Sequence, residues 1–167
     1  MNSKAILVAA MVGGLALCGS SALALDTVPT LSLDLAKKMA DACIAKAQAE
    51  GWKMNITVVD SGANLIVFNR MIGAYLGSVE ISRHKAETSA KFPFPTRAFE
   101  TLAYGKDHKG GDLPGIAQVP GIIAFAGGLP IMAGNAQIGA IGVSGGTADQ
   151  DETCAQAGLD AVKDQLK

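Results

Sequence analysis

The chain has 167 residues, of which 49% are hydrophobic and 17% are charged, and its formal net charge is −1. This length suits one domain and is short for two. The near-neutral charge excludes the strongly basic surface typical of proteins that bind nucleic acid or an anionic membrane.

The first 25 residues have the pattern of a secretory signal. Lys4 is their only charged residue, an apolar run over 5–17 follows it, and Ala22-Leu23-Ala24 stands before the first acidic residue. Such a small-x-small site marks signal cleavage, and the apolar run is shorter than the ~20 residues of a spanning helix.

We therefore predict that residues 1–24 are a signal peptide and that residues 25–167 form a single domain. The expected location is periplasmic or secreted, without membrane insertion after cleavage. The alternatives are an uncleaved anchor, which the Ala-Leu-Ala site disfavours, and a lipoprotein acylated at Cys18, which Leu17 disfavours because a small residue normally precedes a lipidated cysteine.

Residues 32–50 are predicted to form the first helix. Ser32 is its N-cap, Asp34 lies in the positively polarised first turn, and Gly51 follows its end. One stripe at helical spacing carries Leu35, Met39, Ala42, Cys43 and Ala47.

A hairpin is predicted next, with strands over 54–60 and 65–70. The strands are rich in β-branched residues, and Ser61-Gly62-Ala63-Asn64 between them is typical of a turn, in which Asp60 bonds the backbone.

Two helices are predicted in the middle of the chain, from Ser78 to Lys91 and from Thr96 to Tyr104. Ser78 and Thr96 are the expected caps, and Phe92-Pro93-Phe94-Pro95 separates the helices because proline ends a helix. Residues 105–115 are polar and rich in glycine, which predicts a loop and the most mobile part of the chain.

Three more strands are predicted over 121–126, 130–133 and 137–143, followed by a last helix over 148–165 that begins with a Thr147–Gln150 capping box. Turns this short require antiparallel pairing. The expected fold is therefore α/β of the α+β kind, a five-stranded antiparallel sheet covered by N-terminal, central and C-terminal helices.

Cys43 and Cys154 are the cysteines left after signal cleavage. The helices that carry them have faces of small residues, which permit close approach, and export permits a disulfide. Two small buried thiols are the equally weighted alternative. The chain has no Cys-x-x-Cys, so neither a redox pair nor a zinc knuckle is indicated.

No catalytic motif appears, since His-Glu-x-x-His, Gly-x-Ser-x-Gly and a Walker loop are all absent from the sequence. His84, on the second predicted helix, is a candidate ligand of haem iron or another metal, with an ordinary surface histidine as the alternative. His108 is interpreted as a solvated loop residue.

Three further features are candidates for ligand binding. Backbone N–H groups of the Ser144-Gly145 turn can cradle an anion, although a tight turn explains the glycines equally well. Phe92 and Phe94 offer rigid aromatic surface for a flat ligand or for the core. Met71 is a soft haem ligand or a core residue.

Several of these segments together resemble the GlcG/HbpS-like haem-binding family. In chain order they are residues 58–65, 70–74, Ser78, 85–88, Phe92, 127–131, 138–146 and 150–152. The order and spacing of these segments carry the resemblance over nearly the whole predicted mature chain.

The resemblance implies a profilin-like fold, haem or a related tetrapyrrole as ligand, and a homo-oligomer. In some members it also implies iron binding or haem degradation. Thr96 matches a residue near an axial position of the haem in the HbpS-like branch. Members with a histidine on the first helix are not matched, because residues 32–50 contain none, which leaves His84 as the candidate for a direct iron bond.

The leading hypothesis is an exported haem- or tetrapyrrole-binding protein. Its predicted pocket lies beside the Ser144-Gly145 turn, with Arg83 or Lys85 pairing with propionates. The remaining predicted pocket residues are His84, Phe92, Thr96 and Met71. The alternative is a non-catalytic periplasmic accessory or binding module for a small organic acid or other metabolite. An enzyme would have to draw its chemistry from bound haem, since no catalytic constellation is present.

Overall fold

The structure is a computed structural model that describes residues 27–167. The predicted signal peptide and Cys18 lie outside the described residues. The helices and strands are α1 Leu33–Ala49, β1 Asn55–Asp60, β2 Leu65–Arg70, α2 Ser78–Lys91, α3 Thr96–Tyr104, β3 Gly128–Ala133, β4 Ala136–Ser144 and α4 Ala148–Asp160.

The strands form one antiparallel sheet in the order β2-β1-β4-β3. Alternate residues of a strand point to opposite faces of its sheet. Ile56 and Val58 of β1 therefore enter the main core with α1 and α4, while Thr57 faces α2 and bonds the Ser82 hydroxyl at 2.9 Å. The sheet is thus covered by helices on both faces, as the sequence predicts.

The described part of the sheet has four strands, so the prediction of five is wrong. The segment 121–126, predicted as a strand, is irregular and is held by a side chain. The Thr88 hydroxyl accepts a hydrogen bond from Ile123 N and donates one to Gly121 O. Gly121 and Gly127, at either end, have φ values of 80° and 122°, which depart from the extended conformation of a strand.

The N-caps predicted from the sequence are confirmed for α1 and α4 but not for α2 and α3. Ser32 caps α1, and Thr147 with Gln150 forms the predicted capping box of α4. Ser78 and Thr96 are first helical residues and not caps. The last helix ends at Asp160, and a separate 3-10 turn follows at 163–165.

A disulfide joins Cys43 of α1 to Cys154 of α4, which confirms that the two cysteines meet and decides against free thiols. The two helices approach closely because their facing residues are small. A Cβ atom at Gly158 would lie 2.9 Å from Met39 O. Both cysteines are fully buried in the main core.

Within residues 27–167, no helix combines the length and the apolar character that crossing a membrane requires.

Candidate functional site

The glycine turn between β4 and α4 uses its backbone donors within the protein. Gly146 N donates to Asp151 Oδ1 at 2.9 Å, and Thr147 N donates to Gln150 Oε1 at 2.9 Å. These are two of the N–H groups that an anion would need at this helix start. Side chains of α4 therefore already accept the hydrogen bonds of these two N–H groups.

A buried ion pair lies behind this turn. Lys85 Nζ is 2.7 Å from Asp151 Oδ2 and 3.0 Å from Val143 O, and the side chains of Lys85 and Asp151 are 0% and 3% exposed. Burial lowers the pKa of Lys85 and raises that of Asp151, while the attraction between the two charges opposes both shifts. The Phe125 ring covers the ammonium, with its centroid 4.7 Å from Nζ.

A cavity does lie beside the glycine turn, but its lining differs from the set of residues predicted from the sequence. It measures about 250 Å³ and its lining includes Gly145, Gly146, Trp52 and Lys53, but neither His84 nor Thr96. Thr96 is fully buried, and its hydroxyl accepts a hydrogen bond from Gly128 N at 2.9 Å. This cavity therefore does not join the turn to His84 or Thr96, and the single pocket inferred from the sequence stays a prediction.

The other predicted site residues are spread over separate surfaces. His84 is half-buried on α2, and Arg83 beside it is exposed and bonds Glu87 at 2.7 Å. Met71 lines a small cavity at the end of β2, and its sulfur accepts a hydrogen bond from Met54 N at 3.4 Å.

His108 lies in a 3-10 turn after α3. Its Nε2 is 3.2 Å from Glu100 Oε1, and its ring stacks on Tyr104 with a centroid distance of 5.7 Å. This histidine, predicted as a solvated loop residue, is largely exposed and also has two partners on α3.

An open groove of about 600 Å³ lies between α3, the Phe92–Pro95 segment and the loop after α3. Its lining is almost wholly apolar: Phe92, Phe94, Ala98, Phe99, Thr101, Leu102, Leu113 and Ile116. Of the residues that the sequence suggests for ligand binding, Phe92 and Phe94 line it. The groove has the size and apolar character typical of small-molecule sites.

The local sequence explains how the groove forms. Pro93 and Pro95 prevent a continuous helix, so the chain from Phe92 to Phe94 crosses the start of α3. The Phe92 ring meets Phe99 edge to face at 5.3 Å between centroids. Phe94 and Leu113 remain 53% and 51% exposed, so this apolar surface is not covered by the described chain.

The loop side of the groove is fixed by the backbone of α3. Leu113 N donates to Leu102 O at 2.8 Å, and Gly110 N donates to Tyr104 O at 2.8 Å. Sequence reasoning missed Leu102, Leu113 and Ile116. Leu113 lies within residues 105–115, whose composition predicts only a polar mobile loop. The available signal was the spacing of Ala98, Thr101 and Leu102, which places them on one helix face.

Residues 27–167 contain no cluster of three or more His, Cys, Asp or Glu side chains that could hold a metal ion.

The chain is similar to one protein family and to several known proteins. The family model described as "Haem degrading protein HbpS-like" matches residues 31–160. Protein GlcG of Escherichia coli K12 is 32% identical over 114 residues, which are 66% of this chain and 81% of GlcG.

Two solved structures are similar in fold. The crystal structure of HbpS has a TM-score of 0.73 and 32% identity, and the match covers 83% of this chain and 94% of HbpS. The crystal structure of a PduOC–haem complex has a TM-score of 0.71 and 24% identity, covering 80% of this chain and 95% of PduOC. At that identity the PduOC match supports the fold alone.

Proposed function

The chain belongs to the family of haem-degrading, HbpS-like proteins, and from this membership we propose that it binds haem or a related tetrapyrrole in the apolar groove beside α3. The observation that carries the proposal is the groove itself. It is an uncovered, aromatic-walled hollow in a chain whose family description names haem.

The groove residues fit the faces of a tetrapyrrole. The macrocycle is flat and apolar, and three phenylalanines with Leu102, Leu113 and Ile116 offer it a matching surface. Each 100 Å² of apolar surface that a ligand covers contributes about 2.5 kcal/mol before the costs of association. The rings of Phe92 and Phe99 pack edge to face, so this side of the groove is already formed without a ligand.

We place the propionates at the rim of the groove, in water. Lys91 immediately precedes Phe92, is half exposed and has only a 3.8 Å contact with Glu87, so its ammonium is free to pair with a carboxylate. Arg83 and Lys85, the partners predicted from the sequence, already hold carboxylates at 2.7 Å. Pairing with a propionate would require either residue to give up that partner.

Bound haem would supply the redox chemistry of any degradation. The eight groove residues carry no acid or base, so the contribution of the chain is to bind the macrocycle and to exclude water from one of its faces. The sequence alone predicts His84 as an iron ligand, whereas His84 does not line the groove; hemin spectra of His84→Ala distinguish the two.

Export is part of the same proposal. Residues 1–24 have the signal pattern, and the Cys43–Cys154 disulfide supports it because disulfides persist in oxidising compartments. Mass spectrometry of protein recovered from the periplasm or medium is expected to show an N-terminus at Leu25. An intact N-terminus in the cytoplasm would contradict export.

We further propose that the protein self-associates. Ile72, Tyr75 and Leu76 form an exposed apolar tip between β2 and α2, and Ile72 is 97% exposed. Apolar groups of this kind at a surface mark interaction sites. Light scattering during gel filtration is expected to give a mass above that of one chain, and a monomer at all concentrations would contradict this.

Hemin titration with a matched pair of variants tests the groove. We expect a Soret shift at micromolar protein. Leu102→Glu should weaken binding about tenfold or more, because it replaces an apolar contact with a charge. Leu65→Glu, which alters an exposed leucine on edge strand β2, should leave hemin affinity unchanged.

Two results would overturn this assignment. The absence of any Soret shift would remove haem as the ligand. If Leu102→Glu reduces only the oligomer mass and leaves hemin affinity unchanged, the groove is an interface between copies of the chain.

The alternative of a module for a small organic acid has one candidate location, the cavity lined by Lys53 and the glycine turn. Its backbone donors are taken by Asp151 and Gln150, which weakens this alternative. Thermal-shift screening with carboxylates and phosphates tests it, since a ligand at 100 times its dissociation constant adds about 2.7 kcal/mol. Stabilisation by a carboxylate without any effect of hemin would favour it.

A further inference from the structure

No described side chain of the types that bind haem iron in other proteins lines the groove. The two histidines are absent from its lining: His84 is on α2 and His108 is held by Glu100 and Tyr104. Cys43 and Cys154 are joined in the core.

The thioether sulfurs are also elsewhere. Met39 and Met54 are fully buried in the main core, Met71 accepts a hydrogen bond from Met54 N, and Met132 lines a separate cavity between β3 and α4. Both tyrosines of the chain, Tyr75 and Tyr104, are likewise absent from the groove lining.

Thr101 is the only groove residue with a polar side chain, and its hydroxyl is engaged. It donates to Arg97 O, one turn earlier in α3, at 3.2 Å. A threonine hydroxyl is a poor substitute for the imidazole, thiolate, thioether or phenolate ligands that hold haem iron. The groove therefore offers apolar surface to a macrocycle and no strong ligand to its metal.

We infer that the groove recognises the tetrapyrrole ring and not the metal, so that it accepts metal-free porphyrins as well as haem. This inference rests on the proposed function. Its physical basis is that every described contact the groove can make is to the ring faces and edges, which haem and the free-base porphyrin share.

Parallel titrations with hemin and protoporphyrin IX, on the mature protein at one pH and salt concentration, test the inference. Porphyrin fluorescence and hemin absorbance report binding. We expect the two dissociation constants to agree within about threefold, and Leu102→Glu to weaken both by about tenfold while Leu65→Glu changes neither.

His84→Ala and His108→Ala provide the second measurement. Neither substitution is expected to change the absorption spectrum of bound hemin or the affinity for either ligand. Hemin binding more than about thirtyfold tighter than protoporphyrin IX, abolished by one of these substitutions, would overturn the inference while leaving haem binding intact. Binding of neither ligand would instead overturn the proposed function.

Discussion

The ammonium of Lys85 lies 2.7 Å from a carboxylate oxygen of Asp151, and both side chains are withdrawn from solvent. The contact joins α2 to α4 across the end of the sheet. The second carboxylate oxygen of Asp151 accepts from Gly146 N, so one pair fixes two helices and the glycine turn.

Breaking this pair on one side should be costly. Lys85→Met leaves the Asp151 carboxylate buried without its partner, which typically costs about 3–5 kcal/mol of unfolding free energy. The double variant Lys85→Met with Asp151→Leu should recover a large part of that loss, because no charge remains buried. Urea unfolding of both variants and the wild type measures this. A single variant within about 1 kcal/mol of the wild type would show that the pair is not fully desolvated.

Gly128 should not tolerate even a methyl group. A Cβ atom there would lie 2.5 Å from Lys85 O and 2.6 Å from Thr96 Cγ2, and both are fixed in the interior. We expect Gly128→Ala to destabilise the fold by about 1–3 kcal/mol, the usual cost of overpacking. Gly115→Ala is the control, since nothing lies within 4 Å of a Cβ at that position. Equal stability of the two variants would contradict the close packing of α2 and α3 against β3.

The disulfide should be a major source of stability. It joins residues 111 positions apart, and closing a loop of about this length is expected to stabilise by roughly 4–5 kcal/mol in the chain-entropy treatment. Replacing Cys43 and Cys154 together by alanine should lower the urea midpoint accordingly. Thiol titration of the denatured mature protein should detect no free thiol. Two titratable thiols per chain would contradict the bridge.

Asp60 should make stability depend on pH in the acid range. Hydrogen bonds to the carboxylate, first from Asn64 N and also from Gly62 N, hold its pKa below the ordinary value of 3.8. The unfolded chain therefore binds this proton more tightly than the folded one, so the contribution is present above pH ~4 and is lost as the pH falls through the folded-state pKa. Asp60→Asn should lose less stability than the wild type between pH 7 and pH 3 in urea unfolding. Identical losses would contradict this role.

Much of the fold is predictable because local chemistry determines it. The bounds of β2 and of both middle helices follow from β-branched runs, prolines and glycines close in sequence. The strand predicted over 121–126 does not form, and the reason is a tertiary contact. Residues 121–126 have strand-like composition, but the side chain of Thr88, 33 positions from Gly121, bonds Gly121 O and Ile123 N in place of a neighbouring strand.

The candidate site is less predictable because it is built from weak local signals. Phe92 and Phe94 stand out in the sequence, whereas Leu113 lies in a stretch whose composition predicts a mobile loop. Backbone hydrogen bonds to α3, from Leu113 N to Leu102 O and from Gly110 N to Tyr104 O, bring that leucine to the groove. Lys85 is the opposite case. The sequence suggests a helix lysine that can pair with a ligand, but the structure buries its ammonium in an ion pair with Asp151.

The position of bound hemin tests the central claim most directly. Ferric iron broadens the methyl NMR signals of nearby side chains, so a methyl-labelled sample reports where hemin sits. We predict selective broadening of Leu102, Leu113 and Ile116, with Leu65 on the opposite edge strand and Ile72 at the tip unaffected. Broadening of Leu65 or Ile72 with the three groove residues unchanged would contradict the assignment of the groove as the tetrapyrrole site.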